Sequence, residues 1–80
     1  AEWCGPCKMM APMFARAAAE LEPGVRLLKV DTERNQNLAA RFDIRSIPTL
    51  AIFQGGREVA RQAGAMQTPQ LLQWVRSVLA

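Results

Sequence analysis

Cys4 and Cys7 are the only cysteines in the 80 residues, and only Gly5 and Pro6 lie between them. Thiols at this spacing can close a small disulfide without a large movement of the backbone. Cysteines this close together cannot link distant parts of a fold. The pair therefore predicts redox chemistry or metal binding rather than a structural disulfide framework.

The position of the pair in the predicted structure favours a reactive thiol. Residues 8–22 are rich in Met and Ala, strong helix formers, so Cys4 falls where a helix begins. Unpaired backbone N–H groups and the helix dipole favour negative charge there. We expect this to lower the pKa of the Cys4 thiol and to raise the fraction of nucleophilic thiolate. Cys7, one turn further along, is placed to attack a mixed disulfide formed by Cys4.

Two other interpretations of the cysteine pair remain open. A zinc site needs two further thiolate or imidazole ligands, and the sequence has no His and no third Cys. Zinc could therefore be held only between chains or with a segment outside these residues. A pair of inert, buried cysteines is weaker still, because a Cys-x-x-Cys that opens a helix rarely serves packing alone.

The remaining elements predict one α/β domain over residues 1–80. Pro12 should kink the first helix, and Pro23-Gly24 should end it. We then expect a buried strand over 25–31, a short helix over 35–42, strands over 49–53 and 57–63 around a Gly55-Gly56 turn, and a final amphipathic helix that Thr68 caps. Met9, Met10 and Met13 are expected in the helix core, and Trp74 half-buried on the last helix.

Composition excludes several function classes. Ten basic and seven acidic residues give a net charge of +3 without a basic patch, so no nucleic-acid partner is predicted. No run approaches the ~20 apolar residues of a membrane span, and no signal-peptide pattern opens the sequence. Because the sequence begins at Ala1, close to the cysteines, we expect it to be a fragment or a processed piece.

Several motifs, in order, give the sequence a family resemblance. WCGPCK is followed by MMAP, KVDTERN, IRSIPTLAIFQGG and AGA, and this series resembles the thioredoxin family, bacterial type, along the whole chain. The resemblance implies that Cys4 is the attacking thiolate and Cys7 the resolving one. It also implies that Trp3 shields the site and that Lys29 lies beneath it near a buried carboxylate. Trp3 as ordinary packing and Lys29 as a surface lysine are the alternatives.

The same resemblance implies a substrate groove. The Ile47–Pro48 peptide would be cis and face the disulfide, with its backbone pairing with an extended substrate segment. Gly64 and Ala65 would help to line that groove. A trans proline at the first residue of a strand is the alternative for Pro48 when the sequence is taken alone.

The fold implied by the resemblance is incomplete in this chain. It is a thioredoxin-like α/β fold that lacks its first strand, its first helix and nearly all of its second strand, of which Ala1 and Glu2 remain. In the family that second strand is central and carries a buried carboxylate. Because its absence leaves backbone groups of neighbouring strands unpaired, we expect the piece to be unstable alone or to borrow pairing from another chain.

The implied activity is reduction of protein disulfides by dithiol–disulfide exchange. The resemblance also implies a thioredoxin reductase as partner, a cytoplasmic location, and no bound cofactor or metal. A thioredoxin-like domain of a larger oxidoreductase or isomerase is one alternative. The other is a non-catalytic interaction module.

Overall fold

The computed structural model describes all 80 residues and contains three helices and one hairpin. Their order confirms the predicted α/β class and every predicted element except one. The elements are α1 (Gly5–Leu21), α2 (Gln36–Arg41), β1 (Thr49–Gln54), β2 (Arg57–Ala63) and α3 (Thr68–Leu79). No helix has the length and apolar character that crossing a bilayer requires.

Helices α1 and α3 pack together on one side of the hairpin. α1 has Cys4 as its N-cap and continues past Pro12 as one helix, with Met10 and Ala17 on its buried face. α3 has Gln67 rather than the predicted Thr68 as its N-cap, because the Gln67 carbonyl accepts the first helical hydrogen bond, from Leu71 N–H. The Thr68 hydroxyl instead donates to the Met13 carbonyl at 3.3 Å and so joins the two helices.

The core lies between these two helices and one face of the hairpin. A spacing of three and four residues places the buried side chains of α3 on one stripe, which faces α1. The buried cluster consists of Met10, Ala17, Leu50, Ile52, Met66, Leu71, Leu72 and Val75. Met10 confirms the core prediction and Met13 is half-buried, but Met9 is 67% exposed, so its prediction as a core residue is wrong. Met9 immediately precedes Met10, and adjacent residues of a helix point about 100° apart, so Met9 lies away from the buried face.

The hairpin turns at Gly55 and Gly56, as predicted. Both have positive φ, 62° and 78°, the geometry of the two-residue turn whose twist suits antiparallel strands. The register runs from Thr49 opposite Ala63 to Ile52 opposite Ala60, but Phe53 then lies opposite Glu58. Val59 is therefore an extra residue in β2, which makes a β-bulge.

Residues 25–31 do not form the predicted strand. Val25 and Leu27 pack against the core, but Leu28 and Val30 are 74% and 53% exposed. The sheet contains only β1 and β2, so this extended segment has no neighbouring strand with which to exchange ladder hydrogen bonds. Its short apolar run suits a buried strand, yet a strand also needs a partner. The expected instability of the chain stays a prediction.

The end of α2 is a Schellman motif built around Asp43. The N–H of Asp43 donates to the Ala40 carbonyl and the N–H of Ile44 to the Ala39 carbonyl, at 3.1 and 2.8 Å. Asp43 has φ 55°, in the left-handed region that usually favours glycine. The motif fixes the direction in which the chain leaves α2 toward Pro48.

Replacing Asp43 with glycine is expected to stabilise the fold by about 0.5–1 kcal/mol, because glycine adopts the left-handed conformation without a Cβ clash. Asp43→Ala is the matched control and should destabilise it by about 1 kcal/mol. The exposed Asp43–Arg45 ion pair is lost in both variants and contributes little. Urea denaturation of the three proteins measures the difference. An alanine variant as stable as the glycine variant would contradict the argument.

Candidate functional site

A disulfide between Cys4 and Cys7 closes the N-terminus of α1. The two Cα atoms lie 5.3 Å apart, within the range that a disulfide spans without distortion of the backbone. Cys4 has an extended backbone as N-cap and Cys7 is in the first turn, so the start of the helix itself brings the sulfurs together. Gly5 and Pro6 form that turn, and Pro6 lacks an N–H at a position where no helical acceptor exists.

The Cys4 sulfur lies in a favourable environment for negative charge. The backbone N–H of Cys7 donates to Cys4 Sγ at 3.2 Å, so the sulfur accepts one of the free donors of the helix N-terminus. The first turn contains no acidic side chain to oppose this charge. After reduction the same donor and the helix dipole would stabilise a Cys4 thiolate.

Solvent exposure, unlike hydrogen bonding, favours Cys7 as the sulfur that attacks. Cys4 is only 4% exposed, whereas Cys7 is half-buried. Hydrogen bonding therefore favours Cys4 as the nucleophile, and access in the closed disulfide favours Cys7. The assignment of Cys4 as the attacking sulfur stays a prediction.

Trp3 lies on the surface next to the disulfide and is 72% exposed. It lines a shallow groove with a small charged network centred on Arg34, which pairs with Glu2 at 3.6 Å and with Asp31 at 3.9 Å. The Asp31 carboxylate also accepts the N–H of Glu33 at 2.9 Å, which closes the loop before α2. These contacts attach the residues preceding Cys4 to the loop after residue 30. A shielding role for Trp3 stays a prediction.

Lys29 lies on the exposed extended segment and forms no ion pair. None of the buried residues is an Asp or a Glu, so these residues contain no buried carboxylate that could lie near it. The predicted role of Lys29 therefore stays a prediction.

The Ile47–Pro48 peptide is cis, which confirms the isomer that the resemblance implied. Both residues are half-buried just before β1. The Pro48 carbonyl accepts the N–H of Gly64 at 2.9 Å, and Gly64 has φ 94° at the end of β2. The structure thus brings Pro48 and Gly64 together, with exposed Ala65 following. Their role in binding substrate stays a prediction.

Possible metal ligands do not gather elsewhere in the chain. No group of three or more His, Cys, Asp or Glu side chains comes together. A zinc site built from this chain's own residues would therefore lack ligands beyond the two cysteines.

The sequence did not predict one tertiary contact, that of Arg61 with the end of α2. Arg61 of β2 donates to backbone carbonyls at the end of α2, 18 and 19 residues away in the chain. Strand periodicity gave no sign of this contact, because it depends on the bulge at Val59.

Comparison with known sequences gives one family. The family model described as Thioredoxin matches residues 1–77. Thioredoxin C-3 of Corynebacterium nephridii is 55% identical over 75 residues, which are 94% of this chain and 51% of that protein. Thioredoxin of Rickettsia felis is 40% identical over 75 residues, which are 94% of this chain and 71% of that protein. The chain therefore spans about half the length of the Corynebacterium nephridii protein and 71% of the Rickettsia felis protein.

Solved structures give the same fold. A malarial protein superposes with a TM-score of 0.90 at 25% identity, and the match covers 99% of this chain and 89% of that one. Chloroplastic thioredoxin z superposes with a TM-score of 0.86 at 28% identity, over 99% of this chain and 72% of that one. The truncated thioredoxin-like fold is therefore confirmed even though residues 25–31 lack strand pairing. Together with the family match over nearly all of its length, this shows that the chain belongs to the thioredoxin family.

Proposed function

We propose that the protein is a thiol–disulfide oxidoreductase that reduces disulfides in protein substrates. One observation carries the proposal. The WCGPC cysteines form a disulfide at the N-terminus of α1, where the Cys7 N–H donates to Cys4 Sγ. A thiolate held by that donor and by the helix dipole is the species that attacks disulfides.

The proposed reaction has two exchange steps. The Cys4 thiolate attacks one sulfur of the substrate disulfide, forming a mixed disulfide and releasing the other substrate sulfur as a thiolate. Cys7 then loses its proton and attacks Cys4 Sγ, which forms the Cys4–Cys7 disulfide and releases the second substrate thiolate. Two electrons pass from the chain to the substrate. The Cα separation of 5.3 Å allows the second step without movement of the helix.

Substrate and redox partners follow from family membership as proposals. An extended substrate segment would pair with the backbone at Ile47, beside cis Pro48, with Gly64 and Ala65 along the groove. A thioredoxin reductase would return the disulfide to the dithiol, in a reducing compartment such as the cytoplasm. Trp3 would shield the site, and Lys29 would lie beneath it.

Reduction of insulin disulfides, with dithiothreitol as the electron source, tests the proposal. We expect the chain to accelerate precipitation of the insulin B chain, and the double variant Cys4→Ser/Cys7→Ser to give only the rate of dithiothreitol alone. Equal rates for the two proteins would reject disulfide reduction. A chain that a glutathione buffer keeps in the dithiol form and that reshuffles scrambled ribonuclease disulfides would favour the isomerase alternative.

A further inference from the structure

The β-bulge at Val59 decides which side chains of β2 can meet. Residues three apart on a regular strand point to opposite faces of the sheet. Glu58 and Arg61 are three apart, but the extra residue between them restores a common face. The Arg61 guanidinium consequently donates to both Glu58 carboxylate oxygens, from Nε at 3.0 Å and from Nη2 at 2.6 Å.

This pairing orients Arg61 toward the end of α2. Its Nη2 donates to the Phe42 carbonyl at 2.6 Å and its Nη1 lies 3.4 Å from the Asp43 carbonyl. Both oxygens belong to the two residues that directly follow α2, beside the negative end of the helix dipole, where a cation is favourable. The Arg61 and Glu58 side chains are 31% and 30% exposed, so water screens the pair only in part. Hydrogen bonding to Arg61 also lowers the pKa of Glu58.

The segment between α2 and β1 is attached to β2 at its other end as well. The N–H of Gly64 donates to the Pro48 carbonyl at 2.9 Å, and Gly64 directly follows β2, three residues after Arg61. The hydroxyl of Thr49, the first residue of β1, donates to the Ser46 carbonyl within the segment at 2.5 Å. Residues 43–48, the proline loop, are thus held between two anchors, the side chain of Arg61 on β2 and the backbone N–H of Gly64 just after β2.

We propose that Arg61 is a positioning residue for disulfide exchange, because it holds the proline loop in the conformation that receives the substrate segment. The inference rests on the proposed function, in which Ile47 and Pro48 pair with substrate. Arg61 contacts neither substrate nor sulfur in this proposal. Because Arg61 already holds the loop in this conformation, the loop loses less conformational entropy when the substrate binds.

Arg61→Met tests the proposal because methionine keeps much of the stem but has no donor. We expect KM for insulin to rise about tenfold with kcat little changed, which corresponds to about 1.4 kcal/mol of binding free energy. The rate with 5,5′-dithiobis(2-nitrobenzoate), a small disulfide that needs only the sulfur, should stay unchanged. Amides 44–47 should also exchange hydrogen faster. Arg57→Met is the matched control, since Arg57 is exposed on the same strand and forms no ion pair.

Each outcome has a defined meaning. Equal KM values for folded Arg61→Met and Arg57→Met would overturn the proposal, and a parallel loss with the small disulfide would assign Arg61 a general structural role instead. Should Arg61→Met fail to fold, the same measurements are made on Arg61→Lys. Lysine keeps the positive charge but has a single ammonium group in place of the planar guanidinium. If the unaltered chain reduces neither substrate, the proposed function fails. In that case hydrogen exchange of amides 44–47 is the remaining test of Arg61. Equal exchange rates in Arg61→Met and Arg57→Met would then reject the positioning role.

Discussion

Replacement of Cys7 with serine is expected to trap one substrate molecule on each chain through a disulfide to Cys4. Cys4 can still attack, but no second sulfur is present to displace the substrate, so the mixed disulfide accumulates. Turnover of insulin should fall to the background rate. Mass spectrometry of the non-reduced mixture measures the adduct, and dithiothreitol should release it.

Cys4→Ser is the matched control and should give neither turnover nor adduct. Serine is a strong N-cap residue, so this variant is expected to keep the start of α1 that Cys4 now caps. Circular dichroism of the two variants checks this point. An adduct formed by Cys4→Ser and absent from Cys7→Ser would reverse the assigned roles. Access would then outweigh the helix N-terminus, because Cys7 is the more exposed of the two residues.

The sequence predicts most strongly those features that depend on local rules. The helix after Cys4, the glycine turn at Gly55-Gly56 and the apolar stripe of α3 each follow from residues close together in the chain, and the structure contains all three. The location of the cysteine pair at a helix N-terminus belongs to the same group. Local propensity and spacing are sufficient for such features because their partners lie within one or two turns.

Features that depend on distant partners could not be predicted in the same way. The apolar run in residues 25–31 indicates a buried strand, but it cannot supply the neighbouring strand that pairing requires. The contact of Arg61 with Phe42 needs both a bulge and a tertiary approach. The cis peptide at Pro48 came from the family resemblance alone, since the sequence by itself favoured trans.

Leu71→Ala is expected to cause the largest loss of stability among single core substitutions. Leu71 is 1% exposed and is the largest fully buried side chain, on the face of α3 that packs against α1. Removing it from a packed core costs about 2–5 kcal/mol, from lost burial and from the cavity that remains. An ordinary domain of this length is stable by about 4–12 kcal/mol. Since only nine of 80 residues are buried, we expect the lower part of that range.

Gln73→Ala provides the matched control, because Gln73 is exposed on the same helix and alanine is a good helix former. Its stability should change by less than about 0.5 kcal/mol. Urea denaturation followed by far-ultraviolet circular dichroism measures both variants. Leu71→Ala should unfold at a clearly lower urea concentration than the unaltered chain, and its disulfide-reducing rate should fall in proportion to the folded fraction. A loss below about 1 kcal/mol would show that packing of Leu71 between α3 and α1 is not the main source of stability.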